Sequence, residues 1–174
     1  IEKQAVIFST NLLMYVFFGF GLIILSLALY NRMKSGAPAL MQVAAAIGII
    51  WAGSLIASGM TANAGLAAIV PLHAKDPAQA VLTFQAIESI TNGLGNANGE
   101  ILGGMWTLLV SLVALRMGGL PKALNILGVL VGTVGIITII PALNDLVAVF
   151  GLGQIIWFGW LGIVLLRSDL RPTA

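Results

Sequence analysis

Cysteine is absent from this 174-residue chain. That excludes disulfides, thiolate metal sites, haem attachment and cysteine nucleophiles within it. Charge is nearly as scarce: charged residues are 8% of the chain, whereas a soluble domain carries about 25%. So few charges cannot cover the surface of a water-soluble globule. His73 is the single histidine, and no H-E-x-x-H or comparable helical spacing surrounds it, so no metal and no cofactor is expected. There is no G-x-S-x-G elbow and no Ser-x-x-Lys pair. Gly93-x-Gly95 and Gly151-x-Gly153 lack the strand-turn-helix setting of a dinucleotide site. No catalytic residue is expected from these patterns. An Asn-x-Ser/Thr sequon is also missing, which fits a bacterial membrane. The chain opens at Ile1 and not Met, which leaves room for residues before it.

What is present is apolar. Hydrophobic residues make up 59% of the sequence and the mean hydropathy is +1.06, so lipid is the expected solvent for most of it. The net charge is +2 and the pI about 9.3. The basic residues are spread one or two per gap and not gathered on a face. They therefore match anionic headgroups at an inner leaflet and not nucleic acid.

A membrane-crossing helix needs about 20 mostly apolar residues. Five runs meet this: 5–30, 38–60, 98–117, 121–143 and 146–166. Residues 5–30 run too long for a signal-peptide core of about 7–15 residues. Pro38 and Pro121 suit the first turn of their helices, where a missing N–H leaves no bond unmade. Asn144 or Asp145 can cap the fifth. With five crossings Arg32, Lys34, Arg116, Lys122, Arg167 and Arg171 all fall on one side, leaving Lys3 and Lys75 opposite. The positive-inside rule then puts the N-terminus outside and the C-terminus in the cytoplasm. The expected fold is all-α, one domain over 1–174.

Residues 63–97 admit two placements, interfacial or re-entrant. Asp76-Pro77 reads as an N-cap followed by a first-turn proline, so a helix over about 77–94 is expected. Gln85, Glu88, Ser89 and Asn92 share one face of it, and Val81, Leu82, Phe84, Ile87, Ile90 and Leu94 occupy most of the rest. That describes a short amphipathic outer helix. A sixth crossing there would throw Arg116, Lys122, Arg167 and Arg171 to the outside.

An internal repeat is visible. Ser26-Leu27 through Arg32-Met33, Gly36, Pro38 and Leu40 parallels Ser111-Leu112 through Arg116-Met117, Gly119, Pro121 and Leu124, with one residue of slippage. Both copies run in the same direction, unlike the inverted repeats common in secondary transporters. The plainer alternative is that any short inner turn would use Arg, Gly and Pro in this way.

Glu88, Glu100 and Asp145 are the acidic residues with most chemical content, because ionisable groups near the apolar layer face a cavity, a partner or water. With Asn96, Asn144 and His73 they would form a polar cluster at the outer end. It would serve either as a site for a cation, headgroup or proton, or as a hydrated rim; Glu100 is the leading candidate. Gly99-x-x-x-Gly103, Gly128-x-x-x-Gly132 and the Ala44, Gly48, Ala52 stripe let helices approach closely, within the chain or in self-association or contact with other membrane subunits. Trp51 and Trp157 fall near the middle of their runs, where they fill the core or line an apolar pocket. No lysine lies in the interior of a run, Lys122 standing at the very start of the fourth, which removes a retinal-type Schiff base.

Gly104-Met-Trp, then Leu115-Arg-Met-Gly-Gly-Leu-Pro-Lys-Ala-Leu, Gly128 to Gly135 and Gln154-Ile-Ile-Trp157 to Leu166-Arg167 form a G-x-W…R-x-G-x-L-P pattern over about the C-terminal half. This resembles small bacterial multi-spanning membrane proteins of unknown function. The resemblance implies an inner-membrane location and carries no activity. Three functional readings follow. The first is a non-enzymatic accessory subunit or binder of a lipid or small apolar ligand. The second is a small transporter or channel with an acidic outer mouth. The third is a lipid-acting membrane enzyme.

Overall fold

The computed structural model describes residues 3–96 and 100–169, and all regular structure among them is helical. The helices are α1 (Gln4–Met33), α2 (Pro38–Lys75), α3 (Pro77–Thr91), α4 (Ile101–Met117), α5 (Lys122–Ile137) and α6 (Val147–Asp169). α1, α2 and the segment Pro141–Arg167 are long and apolar enough to cross a membrane. α4 and α5 are apolar too, with 17 and 16 residues. The chain divides into two compact units, residues 1–25 with 49–98 and residues 26–48 with 99–174.

Local chemistry sets most of the helix ends. Asp76 is extended (φ −146°, ψ 93°) and its Oδ1 accepts from the Gln79 N–H at 3.0 Å, with Pro77 following as the first helical residue. α4 ends on Gly118, whose φ of 71° and ψ of 17° place it in the left-handed region that favours glycine. Its N–H bonds the Ala114 carbonyl at 2.9 Å. Asn125 then closes the turn, donating from Nδ2 to the Leu120 carbonyl at 3.1 Å.

Three boundaries differ from the sequence reading. The second run was expected to end near Met60, but α2 continues to Lys75 as a helix of 38 residues. At 1.5 Å per residue it is about 57 Å long, well beyond a hydrocarbon layer of about 30 Å. A span-length criterion cuts such a helix short because nothing in its sequence stops it. Pro71 lies within it on an exposed position. Proline removes the one bond to the preceding turn there without ending the helix. The fourth run was expected to reach Leu143; α5 ends at Ile137, and a 3-10 turn covers Pro141–Leu146. The cause is Pro141, which forces Ile140 out of the helical region to φ −78°, ψ 118°. Pro121 sits just before α5 and not within its first turn (φ −53°, ψ 132°). The expected start of the third run at Asn98 lies outside the described residues, as do Gly99 and Arg171.

Glycine contacts of one kind occur twice along the chain, though out of register with the sequence repeat on the second helix: Gly48 lies ten residues after Pro38, Gly128 seven after Pro121. A Cβ on Gly19 would stand 2.6 Å from Ile56 and 3.1 Å from the Ala52 carbonyl oxygen. In the second copy a Cβ on Gly104 would stand 2.7 Å from the Gly132 carbonyl oxygen and 2.8 Å from the Ile136 nitrogen. Gly48 opposes the Ser26 hydroxyl and Trp106 Nε1, and Gly128 opposes the Ser111 hydroxyl and Trp157 Nε1. Gly19 and Ser26 thus correspond to Gly104 and Ser111. On the facing helix Gly48, Ala52 and Ile56 correspond to Gly128, Gly132 and Ile136.

Trp51 and Trp157 both fill cores. Trp51 is buried with its ring edge toward Phe18, at 6.4 Å between centroids. Trp157 is fully buried and meets Trp106 edge to face at 5.6 Å. Such pairs add about 0.5–1.5 kcal/mol beyond area burial.

The glycine contacts generate a direct test. Gly132→Ala should lower the stability of the detergent-solubilised protein by about 1–3 kcal/mol, because backbone of α4 has to move. Gly159→Ala, where no atom lies within 4 Å of the added Cβ, should leave the melting temperature unchanged. Equal melting temperatures for the two variants would contradict the packing.

Candidate functional site

In the unit of residues 1–25 and 49–98, α1, α2 and α3 enclose a cavity of about 210 Å3. Ile7 and Asn11 come from α1, Ala62, Leu66 and Ile69 from α2, and Phe84, Ile87, Glu88 and Thr91 from α3. Helical spacing explains the α3 set, since positions 84, 87, 88 and 91 recur every three or four residues on one face. Gly65 lets that face come close, because a Cβ there would stand 2.6 Å from Ile87. The Ser58 hydroxyl donates to the Thr91 carbonyl at 3.0 Å and ties the end of α3 to α2.

The polar wall is held from behind. Asn11 Nδ2 donates to Asn63 Oδ1 at 2.9 Å, and Asn63 Nδ2 donates to the Phe8 carbonyl at 3.2 Å. Asn63 is buried, so the pair fixes α1 against α2 and orients the Asn11 carboxamide at the cavity. Directly after Asn11 the helix widens into a π-helical turn over Leu12–Phe17. Such turns occur inside α-helices frequently at functional sites. A cavity with an apolar body, one oriented amide and one carboxylate can hold a small apolar molecule with a polar end.

The sequence-derived candidates fall in different settings. Glu88 is exposed on α3 and lines this cavity. His73 lies exposed in the last turn of α2, because the helix runs on through Pro71. Asn96 closes a π-helical turn over Asn92–Asn96, and its side chain lies outside the described part. In the other unit, half-buried Glu100 stands at the N-cap of α4, and its N–H donates to the Thr138 hydroxyl at 3.0 Å. That hydroxyl donates in turn to the Gly135 carbonyl at 2.6 Å. Asn144 and Asp145 are exposed in the Pro141–Leu146 turn. No three His, Cys, Asp or Glu side chains gather as metal ligands among the described residues.

Sequence reasoning missed the buried polar partners. Besides Asn11 and Asn63, Thr107 and Gln154 bond α4 to α6 at 3.1 and 2.9 Å, both fully or nearly buried. Isolated amides or hydroxyls inside apolar runs were the available signal, since such groups find a partner when buried. Gly103, Gly128 and Gly132 are buried by the chain itself.

All-helical architecture, helices of membrane-crossing length and interhelical polar pairs define a helical membrane protein. Within that class the chain belongs to the family described as Domain of unknown function (DUF4386), whose profile matches residues 1–164. The match therefore takes in the N-terminal half, which lies outside the resemblance given above. No curated protein and no solved structure matches the chain significantly.

A double-mutant cycle on Asn11→Ala and Asn63→Ala should give a coupling of about 0.6–1.7 kcal/mol, the range for interhelical hydrogen bonds in lipid. Additive stability losses in the cycle would show that the pair is not formed.

Proposed function

We propose that this chain is a non-enzymatic inner-membrane protein of five crossings that binds a small amphiphilic or apolar ligand in the Asn11–Glu88 cavity. The observation that carries this reading is the cavity itself: six apolar side chains, with a polar edge fixed by the buried Asn63. Its volume of about 210 Å3 lies below the ~300–1,000 Å3 of drug-sized sites. It suits an alkyl segment and is small for a phospholipid headgroup in a reactive pose, which favours binding over lipid chemistry. Asn11 Oδ1 and the Glu88 carboxylate are acceptors, so the preferred ligand carries a hydroxyl or amine at one end.

The five-crossing topology draws on the inner turns. Gly36 packs on Met117, where a Cβ would stand 2.6 Å from the sulfur, so the turns after α1 and α4 meet. Arg32, Arg167 and the Gly118–Pro121 turn border one common cavity. Three basic turns at one end of a unit are what the positive-inside rule requires of a cytoplasmic face. The N-terminus is then outside and the C-terminus inside. α4 and α5 are about 25 Å long, and Arg116 and Lys122 reach the headgroups by snorkelling from their ends.

With 1-decanol as probe, the protein in lipid nanodiscs should be stabilised by several degrees, and more than by decane. Ala62→Trp, which fills the cavity, should remove the difference while leaving the protein folded. An equal response to the two probes, or a full decanol response in Ala62→Trp, would refute the site.

A further inference from the structure

The polar edge of the Asn11–Glu88 cavity offers acceptors and no free donor, and its own hydrogen bonds make it so. A backbone carbonyl can only accept, so the bond from Asn63 to the Phe8 oxygen at 3.2 Å comes from Nδ2. That turns Asn63 Oδ1 toward Asn11, which therefore donates from its own Nδ2 at 2.9 Å. The network thus fixes which way the Asn11 amide points, and Oδ1 is the atom left to it. Thr91 borders the same cavity, and its one hydroxyl proton goes to the Glu88 carbonyl at 2.9 Å. Its oxygen keeps only lone pairs to offer. Glu88 lies three positions before Thr91 on the same face of α3, and its carboxylate accepts only. No described side chain bonds or ion-pairs with that carboxylate.

Charge favours the same kind of ligand. Lys3, His73 and Lys75 are the basic side chains described in this unit, and none borders the cavity. An anionic end would meet an unpaired carboxylate and find no donor. A hydroxyl supplies one donor and brings lone pairs of its own against acceptors. A primary ammonium supplies three donors, no lone pair and the opposite charge. Hydrogen bonds between such a group and a carboxylate are roughly twice as strong as neutral ones. Ile7, Leu66, Ile69, Phe84 and Ile87 leave apolar wall for its tail.

We propose that the Asn11–Glu88 cavity selects primary alkylammonium ions, with the Glu88 carboxylate as counter-ion and Asn11 Oδ1 and Thr91 Oγ1 as further acceptors. This assignment depends on the cavity being a ligand site and adds the charge and donor count of what it holds. The full chain in nanodiscs of dioleoyl phosphatidylcholine tests it at about pH 7, where an alkylamine is protonated as lysine is. Probes of one chain length separate charge from donor count: decylammonium, N,N-dimethyldecylammonium, decyltrimethylammonium, 1-decanol and decanoate. The concentration giving half the maximal thermal stabilisation should be at least about tenfold lower for decylammonium than for 1-decanol. It should rise through the dimethyl and trimethyl ions, which keep the charge and lose donors, and decanoate should give no stabilisation. Glu88→Gln should bring decylammonium and 1-decanol to within about twofold of each other. Asp76→Asn removes the other described carboxylate of the unit, retains a capping oxygen, and should keep the preference. Stabilisation by 1-decanol with no preference for decylammonium would overturn the ammonium assignment and leave the cavity as a ligand site. No response to either probe would remove both. Equal affinity for the primary and trimethyl ions, or a preference that survives Glu88→Gln, would also overturn the assignment.

Discussion

Between Gly104 and Gly132 the backbones of α4 and α5 come so close that a single added carbon on either would stand 2.7 Å from the other's carbonyl oxygen. In lipid no hydrophobic effect draws one apolar helix to another, so association rests on such close van der Waals contact and on hydrogen bonds between helices. Gly135 extends the contact, since a Cβ there would meet the Phe150 ring at 2.7 Å. Trp106 and Trp157 are then locked edge to face, and Thr107 reaches Gln154. Removing the glycine contact would move α4 as a body and break these in turn.

The same device appears twice along the chain. Gly19 with Ala52 and Ile56, and Gly104 with Gly132 and Ile136, occupy equivalent positions, as do the Ser26–Gly48–Trp106 and Ser111–Gly128–Trp157 groups. Each copy sets a serine of one helix and a tryptophan of a later helix against a glycine of the helix between. Ser26 and Ser111 hydroxyls are both buried without a hydrogen-bond partner among the described residues, a cost of about 1–3 kcal/mol each if left unmade. The copies diverge where function is proposed: α2 runs on to Lys75 and supplies the Asn63 amide, whereas α5 stops before Pro141.

Much of this architecture is readable from residue order. The helical class, the starts at Pro38 and Asp76-Pro77, the tight Gly118–Pro121 turn and the repeat all have short-range causes in the sequence. The end of α2 does not, because an apolar helix has no local signal that tells it where the bilayer stops. Site residues were less accessible. Glu88 stood out as a charge on an apolar helix, but its neighbours Asn11 and Asn63 meet across 52 positions, a pairing that no spacing rule encodes. Arg32 and Arg167 were read as topology markers, and only the fold puts them on one cavity.

In the proposed five-crossing topology, α4 and α5 are two complete crossings and not a hairpin that dips into one leaflet. The absence of cysteine makes this accessible through single cysteines at Ser35, Ala78, Gly119 and Ala142, probed with a membrane-impermeant maleimide in intact and permeabilised cells. The account requires Ala78→Cys and Ala142→Cys to react in intact cells. Ser35→Cys and Gly119→Cys should react only after permeabilisation. Reaction of Gly119→Cys from the external medium, or its protection on both sides, would contradict the five-crossing arrangement.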